Sequence, residues 1–116
     1  MDSFSQHGSG KRLRVCSMTA KGRTTVPVAG EVDYLTSPRL GDELEAAVAS
    51  GVQGVDVDLS EVSFCDCSGL NVLLHACEHA RATGVSFGVS GPVAPVVVRL
   101  LEATGVEQVL PVRRVA

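Results

Sequence analysis

Apolar and polar positions alternate with a period of two along the first third of the chain. LRVCSM (13–18) predicts a first strand, and TTVPVAG (24–30) a second, with Thr24, Val26 and Val28 on one face and Gly22 marking the hairpin turn between them. The period then lengthens. In TSPRLGDELEAAVASG (36–51), Leu40, Leu44, Ala47 and Val48 recur at helical spacing, with Ser37 expected as the cap, Pro38 at the first helical position, Asp42 and Glu43 as early acids, and Gly51 as the stop. Gly41 lies inside this helix at a cost of about 1 kcal/mol relative to alanine. GVDVDLSEVSFCD (54–66) returns to alternation, with Val55, Val57 and Leu59 opposite Asp56, Asp58 and Ser60. SGLNVLLHACEHARATG predicts a second helix, and VSFGVSG a strand with Val85, Phe87 and Val89 inward. PVAPVVVRLLEATG predicts a third helix bounded by its prolines and Gly105, and VEQVLPV a last strand. An order of β-β-α-β-α-β-α-β implies one α/β domain, with a mixed, largely parallel sheet of about five strands covered by three to four helices.

Composition narrows the class. With 116 residues and 45% hydrophobic content the chain suits one domain with a real core, starting near Leu13 behind a polar, Gly/Ser-rich tail at 1–12. A formal charge of −3 gives no general attraction to phosphate backbones, so direct nucleic-acid binding is not expected. No run reaches the roughly 18 apolar residues of a membrane span, and the opening residues carry no signal-peptide core, so a cytoplasmic protein with no membrane partner is expected. Cysteines at 16, 65, 67 and 77 are too few and too unevenly spaced for a disulfide scaffold, and reduced thiols follow.

Projected at about 100° per residue, the second helix places Leu70, Leu73, Leu74, Cys77 and Ala80 on one arc and Asn71, His75, Glu78 and His79 on the other. Cys77 therefore faces the core, away from His75 and His79, which read as two exposed histidines rather than zinc ligands. Cys65 and Cys67, two apart, would share one side of a strand and supply only two of the four ligands a structural zinc wants; no metal or cofactor site is expected. Val72 falls on the polar arc beside Asn71 and His75, just past the turn FCDCSGL (64–70). An apolar side chain beside a strand-to-helix turn at the end of a parallel sheet is an interface candidate.

That turn holds the candidate chemistry. Asp66, Cys67 or Ser68 is placed to cap the helix, whose free N–H groups favour negative charge. Cys67 is a candidate reactive thiol. Catalysis would also need a base with an orienting partner, and none can be assigned. The chain has no P-loop or dinucleotide glycine pattern, and Asp66 lacks the acids after the first strand that a phosphoacceptor aspartate needs, where this chain has RVCSMT. A binding module, not an enzyme, is expected.

Three stretches carry a resemblance: GEVD at 30–33 with the capped helix after it, VDLSEVSFCDCSGLNVLL at 57–74, and GPVAPVVVRLLEATGVEQVLPV at 91–112. Together they resemble the STAS domain of bacterial anti-sigma factor antagonists, over residues 13–116. The resemblance implies a non-enzymatic partner switch in transcription regulation: the unmodified antagonist binds an anti-sigma factor of the serine-kinase type and so releases a sigma factor. In that family, phosphorylation of the first serine of an Asp-Ser-Ser-Gly turn ends binding. Phosphate adds a charge of about −1.5 to −2, which a packed interface rejects. Here Cys67 stands at the acceptor position and Ser68 matches the second serine. Three readings follow: a constitutive antagonist, a phosphorylation switch moved to Ser68, or a thiol switch at Cys67, the last as a redox-sensing module or a scaffold in a signalling complex. The resemblance implies partner-binding roles for Asp33, Asp66, Cys67, Ser68, Gly69, Asn71, Val72 and His75, in a monomer or weak dimer.

Overall fold

A computed structural model describes residues 13–90, 93–105 and 110 of the chain. Its elements are β1 (Leu13–Val15), β2 (Met18–Ala20), β3 (Arg23–Val32), α1 (Ser37–Ala49), β4 (Gly54–Cys65), α2 (Cys67–Thr83), β5 (Ser86–Ser90) and α3 (Pro95–Thr104). The five strands form one mixed sheet in the order β1-β3-β4-β5, with β2 also on β3; β1 and β2 run antiparallel to β3, whereas β3, β4 and β5 are parallel. The expected tail at 1–12 and most of the expected last strand lie outside the described residues; Leu110, from that strand, is buried.

The single first strand expected over 13–18 is divided in two and extends to Ala20. Leu13 pairs with Gly30 and Val15 with Val28, while Met18 pairs with Thr25, so one register runs through both pieces. That register sets Cys16 opposite Pro27, which has no N–H to donate, and the ladder lapses there. Lys21 and Gly22, at φ 55° and 79°, make the two-residue turn into β3. Positive φ at both central residues gives the twist that matches flanking strands.

Each parallel step is a crossover, β3-α1-β4 and then β4-α2-β5, in one direction across the sheet. Right-handed crossovers therefore place α1 and α2 on the same face. That face holds Val26, Val28, Val55, Val57, Leu59 and Val89, which share a core with Leu40, Leu44, Leu70, Leu73, Ala76 and Cys77. Burying each of the larger aliphatics contributes about 1.5–3 kcal/mol. α3 packs against β4, burying Val97 and Leu101, and ends at Gly105 with φ 71°.

On the other face Arg23 lies across Gly54, donates twice to Asp56 (3.1 and 3.0 Å) and reaches Ser86 Oγ at 3.4 Å, linking β3, β4 and β5. β4 shifts register against β3 twice, between Pro27 and Ala29 and between Gly30 and Glu31. The Asp58 carboxylate accepts from Ser60 N at 2.9 Å within the first shift. The first bulge moves the apolar alternation from Leu59 to Val62, which is buried.

The helices depart from the sequence expectations in several places. The N-cap of α1 is Thr36, not Ser37, which is buried inside the first turn, and Asp42 and Glu43 fall beyond that turn. Val72, expected on the exposed arc, is half-buried, because Gly41 opens a space on α1 that its side chain occupies; a Cβ at Gly41 would lie 3.3 Å from Val72 Cγ1. Leu74 is only half-buried, and Ala76 takes its place in the core. His79 is not a free wet residue: its Nδ1 meets Glu45 Oε1 of α1 at 2.5 Å. Cys77 is buried as expected.

Candidate functional site

β3 and β4 end side by side, Val32 paired with Cys65, and each is followed by an aspartate that closes a turn on its own backbone. After β3, Asp33 Oδ1 accepts from Leu35 N (2.9 Å) and Thr36 N (3.0 Å), while Thr36 Oγ1 accepts from Asp33 N (2.9 Å). Asp33 thus shapes the loop that carries Tyr34 and Leu35 outward. After β4, Asp66 has extended backbone and is the N-cap of α2. Its Oδ1 accepts from Ser68 N (2.9 Å), Gly69 N (3.3 Å) and Ser68 Oγ (2.5 Å). Asp66 N donates to Val32 O at 3.2 Å, which ties this turn to the end of β3. Of the three candidate caps, then, Asp66 is the one used.

The cap also sets the electrostatics. The Ser68 hydroxyl, and then the backbone N–H groups of Gly69 and Ser68, hold the Asp66 carboxyl below the usual carboxylate range, against the opposing effect of burial. Burial, followed by the neighbouring Asp66 and Cys67, pushes the Cys65 thiol up to about 11. Cys65 and Cys67 do not share a strand face as expected: Cys65 ends β4 half-buried, and Cys67 opens α2 with its side chain exposed.

Gly69 is buried where α2 crosses the strand ends; a Cβ there would lie 2.6 Å from Val32 Cγ1 and 2.8 Å from Cys65 Sγ. This is a packing role. Ser68 is half-buried with its hydroxyl turned to Asp66, whereas Cys67, Asn71 and His75 are exposed along one side of α2. The turn therefore presents Cys67, Asn71 and His75 to solvent, and withdraws Asp33, Asp66, Ser68, Gly69 and much of Val72 into internal contacts.

Three large apolar side chains at this end of the sheet were not foreseen from the pattern: Tyr34 is 72% exposed, Leu35 62% and Phe64 45%. Phe64 pairs with Glu31, one step before the Val32–Cys65 pair, so all three border the capped turns. The available signal was local: Tyr34-Leu35 directly follows the turn aspartate, and Phe64 breaks the alternation of β4. Among the described residues, no group of three or more His, Cys, Asp or Glu side chains is arranged to hold a metal, and no helix is long and apolar enough to cross a membrane.

An open mixed sheet under a pair of crossover helices, with a capped turn leading from a central parallel strand into the second of them, is the architecture of a STAS domain. The chain belongs to that family: residues 16–112 match the family described as "Mlab, STAS domain". An anti-sigma-B factor antagonist of Listeria monocytogenes is 35% identical over 92 residues, covering 76% of each chain. Among solved structures, an anti-sigma factor antagonist from Mycobacterium paratuberculosis superposes with a TM-score of 0.80 at 28% identity, over 89% of this chain and 86% of that one. The Bacillus anti-sigma factor antagonist SpoIIAA, in its unphosphorylated form, shares the fold with a TM-score of 0.73 at 15% identity, over 90% and 88% of the two chains.

Proposed function

We propose that the protein is a cytoplasmic anti-sigma factor antagonist that binds an anti-sigma factor of the serine-kinase type, releases a sigma factor, performs no catalysis itself, and works without a phosphoserine switch. The observation that carries this reading is the division of labour at the turn. The side chain exposed at the first position of α2 is a cysteine, and the adjacent hydroxyl, Ser68 Oγ, is 2.5 Å from the capping carboxylate. A phosphate on Ser68 would break that bond and set its negative charge beside Asp66. Adjacent helical positions also point about 100° apart, so Ser68 does not present itself where residue 67 does.

The test uses the purified host anti-sigma kinases one at a time, with calorimetry in the presence and absence of Mg-ATP and mass mapping of residues 55–81. Wild type should bind one of them and stay bound and unmodified with ATP, while Cys67→Ser should gain a phosphoryl group at 67 and be released. Binding to none, or a phosphoryl group on wild-type Ser68, overturns the reading.

A second reading, a thiol switch at Cys67, is favoured by one contrast: Cys67 is exposed, whereas Cys77 is buried and burial raises the thiol of Cys65. It requires that mild peroxide modify Cys67 ahead of Cys77 in the folded protein; thiol mapping that finds Cys67 unreactive removes it.

A further inference from the structure

A cleft of about 380 Å³ runs along β3 between β1 and β4, with Arg39 of α1 reaching it past the β1 edge. Ligand pockets commonly occupy about 300–1,000 Å³. The pairing explains its shape. Arg14 of β1 pairs with Ala29 of β3, and Ala29 pairs with Glu61 of β4, so a small residue forms the floor between two long walls. One register step along, Pro27 extends the floor and Asp58 the acidic wall. Two inter-strand spacings separate the walls by about 10 Å. Arg39 closes the basic side, its Nη1 donating to Leu13 O at 3.3 Å.

The charges are segregated. Arg14 and Arg39 stand on one side, Asp58 and Glu61 on the other, and among the described residues neither Arg14 nor Glu61 has an ion-pair partner. An anion alone would meet the two carboxylates, and a cation alone the two guanidinium groups. A molecule carrying both charges and a compact apolar body satisfies both walls and covers Pro27 and Ala29. We propose that this cleft binds a small zwitterion of the amino-acid type, carboxylate toward Arg14 and ammonium toward Glu61. The site is separate from the capped turn, and its occupancy is read without any partner protein.

The experiment is a ¹⁵N–¹H titration of the full chain with L-phenylalanine, alongside 3-phenylpropionate and 2-phenylethylamine, which each keep one charge. Saturable shifts confined to 13–16, 27–29 and 58–61 are expected, with each singly charged analogue binding roughly two- to five-fold more weakly, as loss of one partly exposed ion pair implies. Arg14→Gln and Glu61→Gln should each lower affinity for L-phenylalanine by a similar factor, and Ala29→Leu, which fills the floor, should abolish the saturable shifts. If Ala29→Leu loses its dispersed spectrum, the two exposed-wall variants decide. Non-saturable or scattered shifts, equal binding of all three compounds, wall variants that bind as wild type does, or an absence of shifts at 27–29 each overturn the proposal.

Discussion

Gly69 is the tightest point of the turn, and it is there for want of space rather than for backbone freedom. A methyl group at this position would meet Val32 Cγ1 at 2.6 Å and Cys65 Sγ at 2.8 Å, so either α2 lifts or the strand ends part. Gly69→Ala should cost about 1–3 kcal/mol, read as a lower urea midpoint at unchanged slope. Asp66 two residues earlier makes a prediction of a different kind. Its carboxyl titrates below the usual range in the folded protein, because the Ser68 hydroxyl and two N–H groups favour the ionised form. A depressed folded pKa contributes stability that is present above the unfolded value of about 3.9 and lost as pH falls through the folded value. Asp66→Asn retains an amide oxygen that caps, so it isolates the charge. In urea unfolding the variant should be less stable than wild type near neutral pH, and the gap should close as pH drops below about 4. A gap of constant size down the acid limb would assign the effect to shape rather than to ionisation.

Among the elements, the contact of Gly41 with Val72 joins α1 to α2 at the end nearest the turn. Alanine at 41 would gain about 1 kcal/mol of helix propensity, but its Cβ would lie 3.3 Å from Val72 Cγ1. The two effects oppose each other. Gly41→Ala should therefore be close to neutral alone and stabilising by about 0.5–1 kcal/mol in a Val72→Ala background, a coupling that a double-mutant denaturation cycle reads directly. Val72 also shows why part of the fold was illegible in the sequence. A helical projection assumes one buried arc, and the second contact of α2 depends on a glycine thirty-one positions away. The alternation of β3, of β4 as far as Leu59 and of β5, and the existence of all three helices, were legible, since each of these stretches follows one dominant period. The lapse between β1 and β2 was not, because Cys16 and Ser17 carry no breaking residue; the proline responsible is on the facing strand.

For the whole molecule, parallel strands deliver their loops to one end, and that end is where the capped turns and the exposed apolar side chains meet. The Asp66 cap was legible as one of three adjacent candidates, and Cys67 beside it was placed at the acceptor position only through the family resemblance. The surface around them was not, because exposure is a property of neighbours: no periodicity marks Tyr34 and Leu35, and it is the Asp33 turn that leaves them exposed. Side chains 72% and 62% exposed contribute little to the core, yet apolar and aromatic groups beside a binding turn are where association energy concentrates. A variant carrying both Tyr34→Ala and Leu35→Ala should unfold within about 0.5 kcal/mol of wild type. Its affinity for the anti-sigma partner should fall by about ten-fold or more, as loss of 1.4 kcal/mol or more implies. Calorimetry against the partner, set beside thermal unfolding of the same preparation, separates the two effects. Weakened binding with unchanged unfolding places the interface at the C-terminal end of β3 and β4. Unchanged binding would move it along α2 to Asn71 and His75, which the same calorimetry resolves with Asn71→Ala and His75→Ala, since neither side chain is buried.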